Sequence, residues 1–143
     1  MSRRLDAIAR DLAEQLGREP EPRLRRVAER VALAALGEVP VEDDRVDRAV
    51  AALRAARFGE TSERAALKAL VDELDEAAWN MQDEVEAGQA DQADYLAAFG
   101  RARAAMALWF ALDGDPLEAA MEAAYEAEAA TDERLLRHEI AAA

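Results

Sequence analysis

The sequence contains no cysteine. That excludes disulfides, thiolate zinc sites and cysteine nucleophiles. It has a single histidine, His138, and a single lysine, Lys68, against 17 arginines. A di-iron helical bundle uses paired Glu-x-x-His motifs, and position 135 is Leu135, so His138 completes none. Hydroxyls are scarce as well: Ser2, Thr61, Ser62, Thr131, Tyr95 and Tyr125. The Ser and Thr residues fall mostly at predicted helix starts, where capping accounts for them. No glycine-rich phosphate loop is present. No apolar run approaches the ~20 residues that span a bilayer, and Met1–Leu16 is charged and amphipathic rather than leader-like. These absences lead to the expectation of a cytoplasmic protein with no cofactor and no resident metal, more a non-enzyme than an enzyme.

What the chain does have is alanine, 37 of its 143 residues. Alanine is the best helix former and lets helices approach closely. No strand-like alternation of β-branched residues occurs, so the class is all-α. The strong preference for Arg over Lys, with so much Ala, suggests a bacterial, GC-rich genome. The length fits one domain, 1–143. The expected architecture is a helical bundle of six to seven helices around a buried central helix at about 94–113.

That central helix is marked by Ala104–Leu112, where Trp109 carries the only polar side-chain atom. A helix apolar on every side is a buried one. Gly100 within it predicts a close helix crossing. The other helices are read from periodicity and stop signals. Leu5, Ile8, Ala9, Leu12 and Leu16 make one stripe over 3–16, stopped by Gly17. Pro20 and Pro22 open a helix over 21–36, ended by Gly37 and Pro40. A third runs from about 42 to Arg57. Thr61 or Ser62 opens a long helix to Ala87, whose seam of Leu67, Val71, Leu74, Ala78, Met81 and Val85 predicts packing along a long neighbour. Asp91 caps the central helix. The turn Asp113-Gly114-Asp115-Pro116 starts the next one, so the two form an antiparallel hairpin. That helix is expected to bury Leu117, Met121, Ala124 and Tyr125 and to show Glu118, Glu122 and Glu126 outward. A short helix over 132–140 closes the chain.

Charge is divided unevenly. Residues 1–59 form a near-neutral three-helix part, whereas residues 61–143 carry 6 basic and 19 acidic residues, the whole of the net charge of −13. Between Lys68 and Arg101 there are nine acids and no base. Such a surface repels nucleic acid and anionic lipid and attracts a basic protein. The bland alternative is a solvated acidic face that keeps an alanine-rich chain in solution.

The densest acidic stretch is Val71–Glu84. Glu73 and Glu76 share a helix face, and carboxylates at that spacing can chelate Mg²⁺. Glu73-Leu74-Asp75-Glu76-Ala77-Ala78-Trp79 resembles the Glu-Leu-x-Asp-x-x-Trp stretch of the all-α nucleotide pyrophosphohydrolases of the MazG type. The resemblance covers seven residues and implies a Mg²⁺-dependent phosphohydrolase using Glu73 and Glu76. That family also carries a Glu-x-x-Glu pair on the preceding helix. Here Glu60 and Glu63 lie on the same helix, and Asp44 and Asp47 have shorter side chains.

Arg23, Arg25, Arg26 and Arg30 on the second predicted helix invite a helix-turn-helix reading. The neutral charge of that segment favours internal pairing with the acidic helices. Trp79 stands beside the seam next to Glu76, Asn80 and Asp83, as an interface anchor ringed by acids would; the edge of the core is the equally simple alternative. The expected function is an acidic interaction protein, of immunity-protein, antitoxin or adaptor kind. It binds a basic partner through Asp72, Glu76, Trp79, Asp83, Glu118, Glu122 and Glu126. Self-association along the long seam, as a homodimer, is the structural alternative.

Overall fold

The computed structural model describes residues 3–143; Met1 and Ser2, with the Ser2 hydroxyl noted above, lie outside the described residues. The described chain is all-helical, in the order α1 Arg4–Ile8, α2 Arg10–Leu16, α3 Glu21–Glu38, α4 Asp44–Arg54, α5 Ser62–Glu86, α6 Gln92–Ala111, α7 Pro116–Ala130 and α8 Glu133–Ala142. The helix starts follow the capping signals. Asp43, Thr61, Asp91, Asp115 and Asp132 each accept a backbone N–H of the first turn that has no partner within the helix. At α6 the box is reciprocal, with Asp94 accepting from the Asp91 N–H.

The helix ends depart from expectation at three places, each with a local cause. First, α3 passes through Gly37 and stops at Glu38, because Val39 precedes Pro40 and takes φ −126°, ψ 80°. A residue before proline is excluded from the helical region by the ring. Second, α4 stops at Arg54 rather than Arg57. The Arg57 N–H reaches back to the Ala52 carbonyl and the Ala56 N–H to that of Leu53, closing a Schellman motif. Ala56 therefore sits at φ 56° in the left-handed region. The same motif ends α5 with glycine in that place, Gly88 at φ 75°, and Gln89 bonded to Glu84. Third, the single helix expected over 3–16 is broken at Ala9, which takes φ −155°, ψ 69°. The break turns α1 along α7, where Arg3 and Arg4 find carboxylates, and it leaves Ile8 exposed instead of in the apolar stripe.

The core is built around two helices rather than one. In α6, burial begins at Ala98 and includes Ala102, Ala104, Ala105, Ala107, Leu108 and Ala111. Its antiparallel partner α7 buries Ala119, Ala120, Met121, Ala123, Ala124 and Ala127 over a little more than half of its circumference, and Glu122 and Glu126 are buried on the side that remains. α3 lies across both, inserting Val27, Val31 and Ala35; α8 packs on α3 through Leu136 and Ile140. One apolar cluster runs from Leu5 to Ile140. Trp109, expected inside it, is only partly buried at its edge. No described helix is long and apolar enough to cross a membrane.

The hairpin turn is held by cations from elsewhere in the chain. α6 has no basic residue in its last turn. Its free C-terminal carbonyls are met by Arg64 of α5, whose Nε donates to the Trp109 carbonyl at 3.1 Å, and by the Gly59 N–H on Leu112 at 2.8 Å. Arg25 of α3 donates to the Asp113 carbonyl at 2.7 Å and the Gly114 carbonyl at 2.9 Å. The same guanidiniums stack on aromatics, Arg64 over Trp109 at 3.8 Å and Arg25 over Phe58 at 3.7 Å. Burial pulls the Arg25 guanidinium below its ordinary value, against the pull of Glu21 and Asp113. Internal pairing is thus the observed role of Arg25. Arg23 caps the Ile140 carbonyl and Arg30 pairs with Glu139, while Arg26 is exposed.

Two opposite glycine–alanine exchanges follow. A Cβ at Gly100 would meet Val39 Cγ1 at 3.5 Å and the Ala130 carbonyl at 3.7 Å, ordinary contacts, so no close crossing requires glycine there. Gly100→Ala should stabilise by about 0.5–1 kcal/mol, the helix-interior cost of glycine. Ala56→Gly should also stabilise, by about 1 kcal/mol, since the left-handed region costs an L-residue that much. Urea titration of each variant measures both values; a loss at either site contradicts the local geometry.

Candidate functional site

The described structure divides the acidic residues of the second part into two kinds. Those of α7 are internal. Glu126 is 1 % exposed and Glu122 is 9 % exposed, so the outward face expected for α7 is turned inward. Arg4 donates to Glu122 at 2.9 Å through Nε and to Glu126 at 2.9 Å through Nη2. Arg103 of α6 meets the other Glu126 oxygen at 3.0 Å and also Asp75 of α5. Glu118 pairs with Arg3. Burial works against the Arg4 charge, but its hydrogen bonds to Glu122 and Glu126 outweigh it and hold the group above its ordinary value. The reason for this inward turn is steric. The alanines of α7 let its neighbours close in on all sides, and the carboxylates at 118, 122 and 126, one turn apart, then face α1 and α6. Glu118, Glu122 and Glu126 are therefore structural acids, and the absence of any base from Ala104 to Glu133 was the signal that their cations come from other helices.

The acids of α5 and of the α5–α6 connection are of the second kind. From Trp79 to Ala97 no residue is fully buried, so the last third of α5 and the first third of α6 form a two-helix arm beyond the core. The pairing is antiparallel: Arg64 reaches the end of α6, Asp75 meets Arg103, and Trp79 lies across from Tyr95 and Phe99. Of the nine acids between Lys68 and Arg101, Asp72 pairs with Lys68 at 2.6 Å, Glu73 with Arg45 of α4, and Asp75 with Arg103. The other six, Glu76, Asp83, Glu84, Glu86, Asp91 and Asp94, meet no cation among the described residues. Asp91 and Asp94 cap α6, and Glu86 accepts from Gln82.

Trp79 is 72 % exposed and Leu96 55 %, the largest such values among the large apolar side chains of the described residues. Trp79 lies on neither the seam nor the edge of the core. It stands on the wall of a groove of about 550 Å³ between α5 and α6, opposite Tyr95 and Phe99, with Ala78 and Arg103 below. Sequence reasoning singled out Trp79 with its neighbouring acids, and did not single out Tyr95, Phe99 and Arg103, which line the same groove. Their spacing of four residues along α6 was the available signal. Trp79 and Asp83 thus lie on the arm, Glu76 lies one turn before it and Asp72 nearer the core beside Lys68, and Glu118, Glu122 and Glu126 lie apart from it.

The carboxylates considered for Mg²⁺ are spread. Glu73 is bound to Arg45, Glu76 is free of any side-chain partner, and Asp44 pairs with Arg48. Among the described residues no three His, Cys, Asp or Glu side chains converge as a metal site would need. His138 is exposed on α8, beside an open crevice with Glu38 and Arg134.

Two expected outcomes follow from the electrostatics. Glu126→Ala should cost about 1.5–3 kcal/mol, the range for hydrogen bonds to a charged group, because Arg4 keeps Glu122 and Arg103 keeps Asp75 when the central carboxylate is lost; a loss below about 1 kcal/mol in denaturant would show that the network carries no such burden. Glu128, at the end of α7, is pushed above the ordinary value of 4.5 by burial, and then by Glu133 and Asp132. A raised carboxylate value means that its charge opposes folding at neutral pH, and that the opposition vanishes once the group is protonated in both states. Glu128→Gln should therefore raise the melting temperature at pH 7 and leave it unchanged below about pH 4. Compared with protein-family models, curated proteins and solved structures, the chain matches none.

Proposed function

We propose that this protein is a non-enzymatic interaction module that binds a basic protein partner through the α5–α6 arm, in the manner of an immunity protein, antitoxin or adaptor. The observation that carries the reading is Trp79, exposed at the root of an arm whose five carboxylates, Asp83, Glu84, Glu86, Asp91 and Asp94, meet no cation among the described residues, and neither does the neighbouring Glu76. An exposed tryptophan costs solvation, and an arm with no fully buried residue contributes little to the core. A solvated face that only confers solubility needs the charges but not the tryptophan beside them. A large aromatic centred among charges is the usual composition of an interface anchor. The acids of α7 take no part, since their carboxylates are held by Arg3, Arg4 and Arg103.

Self-association through the same arm is disfavoured by its charge. A second copy would bring acid against acid, and like charges facing each other across an interface cost several kcal/mol.

The test is kinetic. Association with a basic partner retained from the native host should slow steeply between 0.01 M and 0.15 M salt, as the Debye length falls from about 30 Å to about 8 Å. Asp72→Lys, Glu76→Lys and Asp83→Lys together should slow association at low salt and leave the melting temperature near the wild-type value, since exposed charges contribute little to stability. Trp79→Ala should act mainly on dissociation. Unchanged association rates for the triple reversal at low salt would reject the arm as the binding face.

A further inference from the structure

The arm carries a second feature that charge alone does not explain. Tyr95 and Phe99 stack 6.0 Å apart along α6, one turn from each other, and both face Trp79 across the groove. The floor is Ala78, too small to fill it, and Arg103, which is occupied by Glu126 and Asp75 on its terminal nitrogens. The groove therefore joins three aromatic side chains to a polar lining of Asp75, Gln82 and Glu86, and it is wide enough for a side chain. Glu76 and Asp83 stand one turn either side of Trp79 on α5 and, like Glu86, meet no cation among the described residues.

We infer that this groove seats one basic amphipathic helix of the partner, with an apolar side chain between Trp79 and Phe99 and its cations on the flanking carboxylates. The inference rests on the proposed function and names the shape that its partner presents. Three observations select a helix. The groove lies between two antiparallel helices, whose ridges accept a third helix laid along them. No strand edge exists among the described residues, so pairing with an extended segment has no template. The span from Asp75 to Glu86 is about 16 Å at 1.5 Å per residue, three turns of a partner helix. Charge complementarity selects a basic helix over an acidic or neutral one, and it disfavours a second copy of this chain. The aromatic walls favour an apolar anchor, because a side chain buried between them removes apolar surface from water on both sides, whereas the Phe99 ring already has the Arg103 guanidinium 5.7 Å from its centre.

The experiment uses the full chain with Trp109→Phe, which leaves Trp79 as the sole tryptophan and keeps a ring beneath Arg64. Three synthetic peptides of about 18 residues, long enough to be helical alone, share one helical pattern. The first alternates Leu and Lys on opposite faces, the second replaces Leu by Gln, and the third replaces Lys by Glu. The Leu/Lys peptide should bind and shift Trp79 emission to the blue. Tyr95→Ser and Phe99→Ser should each weaken it by about tenfold or more, as loss of an anchor contact does. Asp47→Lys, at an exposed position of α4, should change its affinity little. Should Trp109→Phe fail to fold, the Trp79 resonance of 5-fluorotryptophan-labelled wild-type protein reports the same titration. Equal binding of the Gln/Lys peptide would overturn the groove while leaving the charge-based reading intact. Failure of both cationic peptides would overturn the two together. Binding of the Leu/Glu peptide as tightly as Leu/Lys would overturn the basic partner, and a concentration-dependent dimer that blocks the peptide would assign the groove to a second copy instead.

Discussion

The fold depends on the buried carboxylate of Glu126. A charge taken out of water is costly unless opposite charge and hydrogen bonds meet it. Here two guanidiniums do so, Arg4 from the first helix and Arg103 from α6, on opposite oxygens. Arg103 in turn holds Asp75. One carboxylate thus relates α1, α5, α6 and α7, and it does so with directional bonds. Alanine surfaces alone would permit many sliding arrangements of α6 against α7, because their side chains offer small ridges and shallow grooves. The ionic contacts select one register among them.

The turn between α6 and α7 follows the same logic from the other side. The end of α6 has free carbonyls and no basic residue of its own. Arg25 and Arg64 supply the charge from α3 and α5 and lay their planes on Phe58 and Trp109 while doing so. Arginine suits this role because its fork donates in two directions while its face stacks. Arg3, Arg4, Arg30, Arg45 and Arg57 of the arginine-rich first part thus pair with acids of the second part, beside the pairs that each part forms within itself; the first part is near-neutral because its own acids nearly match its 12 arginines.

Much of the architecture was legible in the sequence because its signals are local. The caps at Asp91, Asp115 and Thr61, and the hairpin at Asp113–Pro116, depend on residues a few positions apart. What was illegible depends on distance. The inward turn of Glu122 and Glu126 requires knowing that Arg4, more than a hundred residues away, comes to lie beside them. Ala9 breaks a helix although alanine favours one, because α1 gains its arginine pairs by the bend. Ala56 takes the place where glycine is usual, which no propensity indicates. At the candidate site, Trp79 and its acids stand out along one helix, whereas Tyr95 and Phe99 join them only once α5 and α6 are paired.

The arm also sets how order is distributed through the molecule. The amides of α7 and of α6 beyond Ala98 lie in the core, but the stretch from Trp79 to Ala97 has no fully buried residue and closes on a five-residue link that contains Gly88. It can unravel from its tip inward without disturbing Leu108 or Val31. Amide hydrogens there exchange through small local openings, while those beneath α3 wait for global unfolding. Whatever settles on the arm slows that local exchange first, so occupancy can be registered as quenched motion at one end of the protein while its overall resistance to denaturation hardly changes.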